Sequence, residues 1–159
     1  ILIINNMRYP IFLIDEDSDE EDIQHYVQNI VVVGKTKTGK SSIIRRLIRN
    51  YFSLFYTPTT NIEFSQPVLV GNNFYRFYEV PYSYDFQHNW YIKANIIFVL
   101  EDIEVKWWEK FLSTIDATNV IEVFFITQKK TIKQKYRQYH VDALEFSGFS
   151  DLMFDIANL

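Results

Sequence analysis

At 159 residues, 48% of them hydrophobic and 18% aromatic, the chain can bury a single core and is too apolar for a disordered segment. The absence of Cys excludes disulfides and thiolate metal sites and fits a reducing compartment. A net charge of −4 supplies no basic field for nucleic acid, and the longest apolar run is far short of a membrane span, so no membrane association is visible in this chain.

Residues 1–14 form an apolar arm that ends in Ile11-Phe12-Leu13-Ile14. Such a run is either a strand packed back on its own domain or a docking peptide for a partner's groove or sheet edge. Residues 15–22, DEDSDEED, place seven carboxylates in eight positions. Their mutual repulsion favours an extended, solvated segment, so residues 15–28 are expected to be an acidic linker. Residues 29–159 then form the domain.

Within that domain strand and helix signals alternate. Residues 29–33 predict a buried strand. Ile43, Ile44, Leu47, Ile48 and Tyr51 share one helical face, with Arg45, Arg46 and Arg49 on the other. Two β-type runs, 62–70 and 74–78, flank Gly71-Asn72-Asn73 and predict an antiparallel hairpin. Residues 95–100 predict a strand, and Trp108, Phe111, Leu112 and Ile115 repeat at helical spacing, with Trp107 and Trp108 expected in the core. Then come a strand at 120–126, a polar helix at 131–139, a short strand at 143–146 and a last helix at 150–159. Strands separated by helices predict an α/β fold: a mostly parallel sheet with one antiparallel edge hairpin and helices on both faces.

Gly34-Lys35-Thr36-Lys37-Thr38-Gly39-Lys40-Ser41 fits G-x-x-x-x-G-K-[ST], the Walker A phosphate loop, between a predicted strand and a predicted helix. The glycines let backbone N–H groups fold around phosphate oxygens, with Thr36, Lys37, Thr38 and Ser42 completing the cradle. Lys40 would neutralise terminal phosphates and Ser41 would offer a hydroxyl to Mg²⁺. A nucleotide kinase also uses such a loop, but it needs an arginine-rich lid, and the dense basic run at 129–137 falls too late to be one.

Beyond the loop, Tyr56-Thr57-Pro58-Thr59-Thr60-Asn61-Ile62-Glu63-Phe64 resembles the first switch of Ras-like small GTPases, most of all the Rab branch. Thr59 stands eighteen residues after Ser41, the family spacing, and residues 90–103 are similar to the segment that leads through the family's fourth strand. The resemblance implies a P-loop NTPase fold, GTP or GDP with Mg²⁺ as cofactors, Mg²⁺ held by Ser41, Thr59 and Glu79, and Phe52 against the base. It also implies Gln128, Lys129 and Ser147 at the base-reading positions. The family's D-x-x-G followed by Gln aligns with Glu79-Val80-Pro81-Tyr82 followed by Ser83, its N-K-x-D with Gln128-Lys129-Lys130-Thr131, and its S-A-K with Ser147-Gly148-Phe149. Tyr82 and Ser83 thus replace the glycine that approaches the γ-phosphate and the Gln that orients water, so no catalytic residue is assigned and the resemblance implies at most a slow GTPase, with enzymatic activity left open. Two functions are expected from this pattern. One is a divergent Rab-like nucleotide-binding protein that hydrolyses slowly or not at all and recruits effectors through its switch surface and N-terminal arm. The other is a pseudo-GTPase serving as a structural subunit of a larger assembly. Either would act in the cytoplasm, at an organelle surface or in a large complex.

Overall fold

The computed structural model describes residues 12–13, 27–86, 92–100, 103–116, 120, 122–127 and 138–159. In chain order the elements are β1 (Phe12–Leu13), β2 (Val27–Gly34), α1 (Lys40–Arg49), β3 (Glu63–Phe64), β4 (Val68–Val70), β5 (Asn73–Glu79), β6 (Ile92–Lys93), β7 (Ile96–Leu100), α2 (Val105–Thr114), β8 (Ile115–Asp116), β9 (Glu122–Thr127), β10 (Gln138–His140) and α3 (Phe149–Ala157). The main sheet has the order β1-β4-β5-β2-β7-β9-β10, with β3 also paired to β5. Pairing is parallel from β5 through β2, β7 and β9 to β10, and antiparallel where β4 and β3 meet β5 and where β1 meets β4. This is the expected mixed sheet, and the hairpin joining β4 to β5 closes with Val70 opposite Asn73.

The pleat of β2 explains the two-sided core, because successive side chains point to opposite faces. Ile30 and Val32 join Ile43 and Leu47 of α1 and Leu152 and Ile156 of α3 in one cluster. Val31 and Val33 join Phe111 of α2 and Ile115 in the other. All four of these β2 residues are fully buried, the pattern of a central parallel strand covered on both sides.

Several boundaries differ from expectation for physical reasons. β2 starts at Val27, opposite Phe74, so residues 27 and 28 belong to the sheet and not to the linker. The run 62–70 is split at residues 65–67: Pro67 has no N–H to give, and Phe77 N donates instead to Ser65 Oγ at 3.0 Å. α1 ends at Arg49, capped by Asn50 in the left-handed region, which leaves Tyr51 outside the helix and exposed. Ile115 falls in β8, paired in parallel with β6, a two-stranded sheet with no sequence signal of its own. Trp107 and Trp108 are half-buried against the second cluster.

The late elements change most. Residues 138–140 form a strand where the helix 131–139 was expected; residues 131–137 lie outside the described residues. Tyr139 packs edge-on against Phe124 at 5.4 Å, and that contact with the core fixes the strand. Residues 143–146 form a turn and not a strand. Asp142 and Ser147 exchange backbone hydrogen bonds of 3.1 Å across its base, and Asp142 Oδ1 accepts from Leu144 N and Glu145 N at 2.8 and 3.0 Å.

Candidate functional site

The phosphate-loop sequence becomes a loop because both glycines are required. A Cβ on Gly34 would stand 2.7 Å from Leu100 O, since β2 and β7 run side by side there. Gly39, at φ 87°, is the N-cap of α1 in the left-handed region that favours glycine. No side chain caps α1 and no acid of its own occupies the first turn, so its N-terminal N–H groups and the positive dipole end face the loop without a carboxylate from the helix itself. That is the chemistry of a phosphate seat.

Lys40 is buried at the head of this helix, 6% exposed. Its Nζ donates to Gly34 O at 2.9 Å and Lys35 O at 3.0 Å, which bends the ammonium back over its own loop. Burial pushes its pKa below the ordinary lysine value, with Glu79 opposing that shift. Thr38 is buried too, and its hydroxyl closes the loop by donating to Lys35 O at 2.8 Å.

One helical step on, three oxygens converge. Ser41 Oγ donates to Glu79 Oε1 at 2.8 Å and Thr59 Oγ1 donates to the same atom at 3.0 Å, with 3.3 Å between the two hydroxyls. They arrive from α1, from the loop before β3 and from the end of β5, so the sheet brings together residues 18 and 38 positions apart. Two hydroxyls and a carboxylate are hard oxygen donors, and this donor set fits Mg²⁺.

A cavity of about 660 Å³ opens on these groups. Thr36, Lys37, Gly39, Lys40, Ser41, Ser42, Phe52, Thr59, Glu79, Tyr82 and Ser83 line it. Lys37 Nζ lies over the Tyr56 ring at 5.6 Å, joining the loop to the 53–60 segment across the opening. Gly34 and Thr38 stand behind the lining as structural parts of the loop. Ser147 is exposed on the far leg of its turn and does not line the cavity; Asp142, Ala143 and Leu144 of the same turn do. Gln128 and Lys129 lie outside the described residues.

Sequence reasoning therefore missed the 142–144 wall. An Asp two and three residues before the N–H groups it accepts is the signal of an Asx-type turn, and it was legible at Asp142. It set Arg46 only on the helical face opposite the apolar one, with Arg45 and Arg49, and gave it no partner, whereas Arg46 is half-buried and bonded to that turn.

The segment after Glu79 is fixed from outside the cavity. Trp107 Nε1 donates to Tyr82 O at 2.8 Å, and the two rings stack at 5.1 Å with 17° between planes. Trp107 in turn stacks on Phe111 at 5.6 Å and meets Phe86 edge-on at 5.4 Å. An aromatic ladder thus ties residues 82–86 to α2.

Comparison with known proteins agrees with this geometry. The Ras family model matches residues 29–74, from β2 through the phosphate loop and Thr59 into β5. Ras-related protein Rab-32A of Dictyostelium discoideum is 40% identical over 52 residues, a stretch that makes up 33% of this chain and 24% of that protein. The match thus spans about a quarter of the length of that curated relative.

Proposed function

We propose that this chain, a Ras-like small GTPase close to the Rab branch, binds GTP or GDP with Mg²⁺, hydrolyses the triphosphate slowly or not at all, and works by recruiting partners. The convergence of Ser41, Thr59 and Glu79 beside the buried Lys40 carries this reading. Bound Mg²⁺ would supply positive charge that offsets the charge of the phosphates. Ser41, Thr59 and Glu79 would hold it, while the α1 N-terminus and Lys40 receive the phosphates.

Turnover is limited by what stands near the γ-phosphate position. An attacking water must be oriented, and Ser83 is shorter than the Gln that does this in the family. Tyr82 carries a ring where the family has a backbone that can approach, and Trp107 holds that ring and its peptide oxygen. The same ladder supports a second reading, a pseudo-GTPase that serves as a structural subunit: a segment 82–86 bound to α2 presents one surface whatever the nucleotide. Among the described residues no helix is long and apolar enough to cross a membrane. A place in the cytoplasm, at an organelle surface or in a large complex is part of the proposal.

Mass spectrometry of the small molecule that co-purifies with the native protein tests the nucleotide reading. A guanosine di- or triphosphate near one equivalent is expected. Protein that carries no nucleotide, and takes up neither GDP nor GTP in calorimetry with Mg²⁺, would leave the structural-subunit reading.

A further inference from the structure

Arg46 does not line the cavity, yet it holds two parts of the wall that do. Its Nε donates to Ala143 O at 2.6 Å and its Nη2 to Leu144 O at 3.1 Å. Nη1 reaches back to Asn50 O and Asn50 Oδ1, both at 3.2 Å, so the C-terminal cap of its own helix orients the guanidinium. Its Cζ lies over two rings, 5.6 Å from the centroid of Phe52 and 5.3 Å from that of Phe146. All three nitrogens are therefore engaged while the guanidinium carbon stays over two rings, a geometry that a planar fork can satisfy and an ammonium cannot.

From these contacts we infer that Arg46 is a positioning residue that builds the base subsite of the cavity, setting Phe52 and the 142–144 turn as two preformed walls for the flat ring of a nucleoside. The inference rests on the nucleotide reading above. Arg46 lies five residues after Ser41 along α1, about 7.5 Å by helical rise, so this corner is displaced from the phosphate seat toward the far end of the helix. Phosphates would meet the loop while the base meets walls fixed in advance, and fixed walls lower the ordering cost of binding.

The test compares GDP and ADP with inorganic pyrophosphate, all with Mg²⁺, by calorimetry on the full chain and on Arg46→Ala and Arg46→Lys. In the unmodified protein the nucleosides should bind at least a hundredfold more tightly than pyrophosphate. Arg46→Ala should lower nucleoside affinity at least tenfold and leave pyrophosphate affinity within twofold. Arg46→Lys, which keeps the charge and the stem, should itself bind GDP and ADP at least threefold more weakly than the unmodified protein while pyrophosphate affinity stays within twofold, a readout that stands if the alanine variant does not fold. Equal losses for nucleoside and pyrophosphate, or full recovery by lysine, would overturn the assignment, because folding or charge would then explain the effect. Pyrophosphate binding with no gain from a nucleoside would overturn the base subsite alone and leave the phosphate loop standing. If the unmodified protein binds none of the three, both readings fall.

Discussion

The Lys40 ammonium donates to two carbonyls of its own loop and sits in a buried pocket, where desolvation outweighs the attraction of Glu79. Replacing Lys40 by Met, which keeps the stem, should remove a charge-assisted contact worth about 1.5–3 kcal/mol and weaken GDP binding at least tenfold in calorimetry. Unchanged affinity would remove Lys40 from the site. The same burial makes a pH prediction. Because burial lowers the folded-state pKa below 10.5, the unfolded chain binds more protons than the folded one between the lowered pKa and 10.5. Stability from this group therefore rises with pH across that window. Tyr75 opposes it, since its burial raises a pKa whose ordinary value is 10.0 and favours the fold below that value. The quantity to measure is thus the difference in unfolding free energy between wild type and Lys40→Met from pH 8 to 10.5, without ligand. That difference should move in favour of wild type as pH rises, and the slope should shrink with bound GDP, whose phosphates favour the charged lysine. A flat difference without ligand would mean that Lys40 is not desolvated as its position implies.

At the scale of elements, the sequence was most legible where local geometry and chemistry coincide. The loop from Gly34 to Ser41 was readable because glycine is demanded by a neighbouring backbone at one end and by a left-handed cap at the other. Thr59 and Glu79 were placed by resemblance, and the sheet brings both to Ser41. Elements fixed by tertiary contact were not readable. Strand β10 depends on Tyr139 meeting Phe124, and the 142–147 turn on Arg46 nearly a hundred positions away, neither of which leaves a periodic pattern. The aromatic ladder is of the same kind, since no spacing rule links Tyr82 to Trp107. Its consequence is kinetic. Phosphate release from GTP by the unmodified protein should be slower than roughly 10⁻⁴ s⁻¹, the scale of intrinsic hydrolysis in the family. Ser83→Gln alone should change little. Tyr82→Gly with Ser83→Gln should recover part of the rate, and adding Trp107→Phe should raise it again, because the indole N–H that holds the Tyr82 carbonyl is then gone. A wild-type rate at or above the family scale would show that another group positions the water.

On the scale of the whole molecule, the N-terminal arm meets the domain at the edge of the main sheet. Its described part, β1, extends the sheet beyond the hairpin, with Phe12 opposite Leu69 and Leu13 opposite Val68. Two residues of pairing contribute little to a sheet whose centre is β2, with β5 and β7 on either side. They do, however, cover the edge of β4, whose Val68 and Val70 are buried. Removing residues 1–14 should therefore leave the domain folded, with the far-ultraviolet spectrum retained and Tm lowered by only a few degrees, while the β4 edge becomes available for pairing. The sharper expectation is a change of association state: the truncated protein should self-associate in sedimentation at concentrations where the full chain is monomeric. A lysine introduced at Leu69, the half-buried position between the two buried valines, should suppress that association without restoring Tm, since charge blunts an edge but adds no strand. Loss of the cooperative transition on truncation would instead place the arm in the domain's own core. A truncated protein that stays monomeric with Tm unchanged would mean that β1 does not protect the edge, and the arm would then be free for a partner.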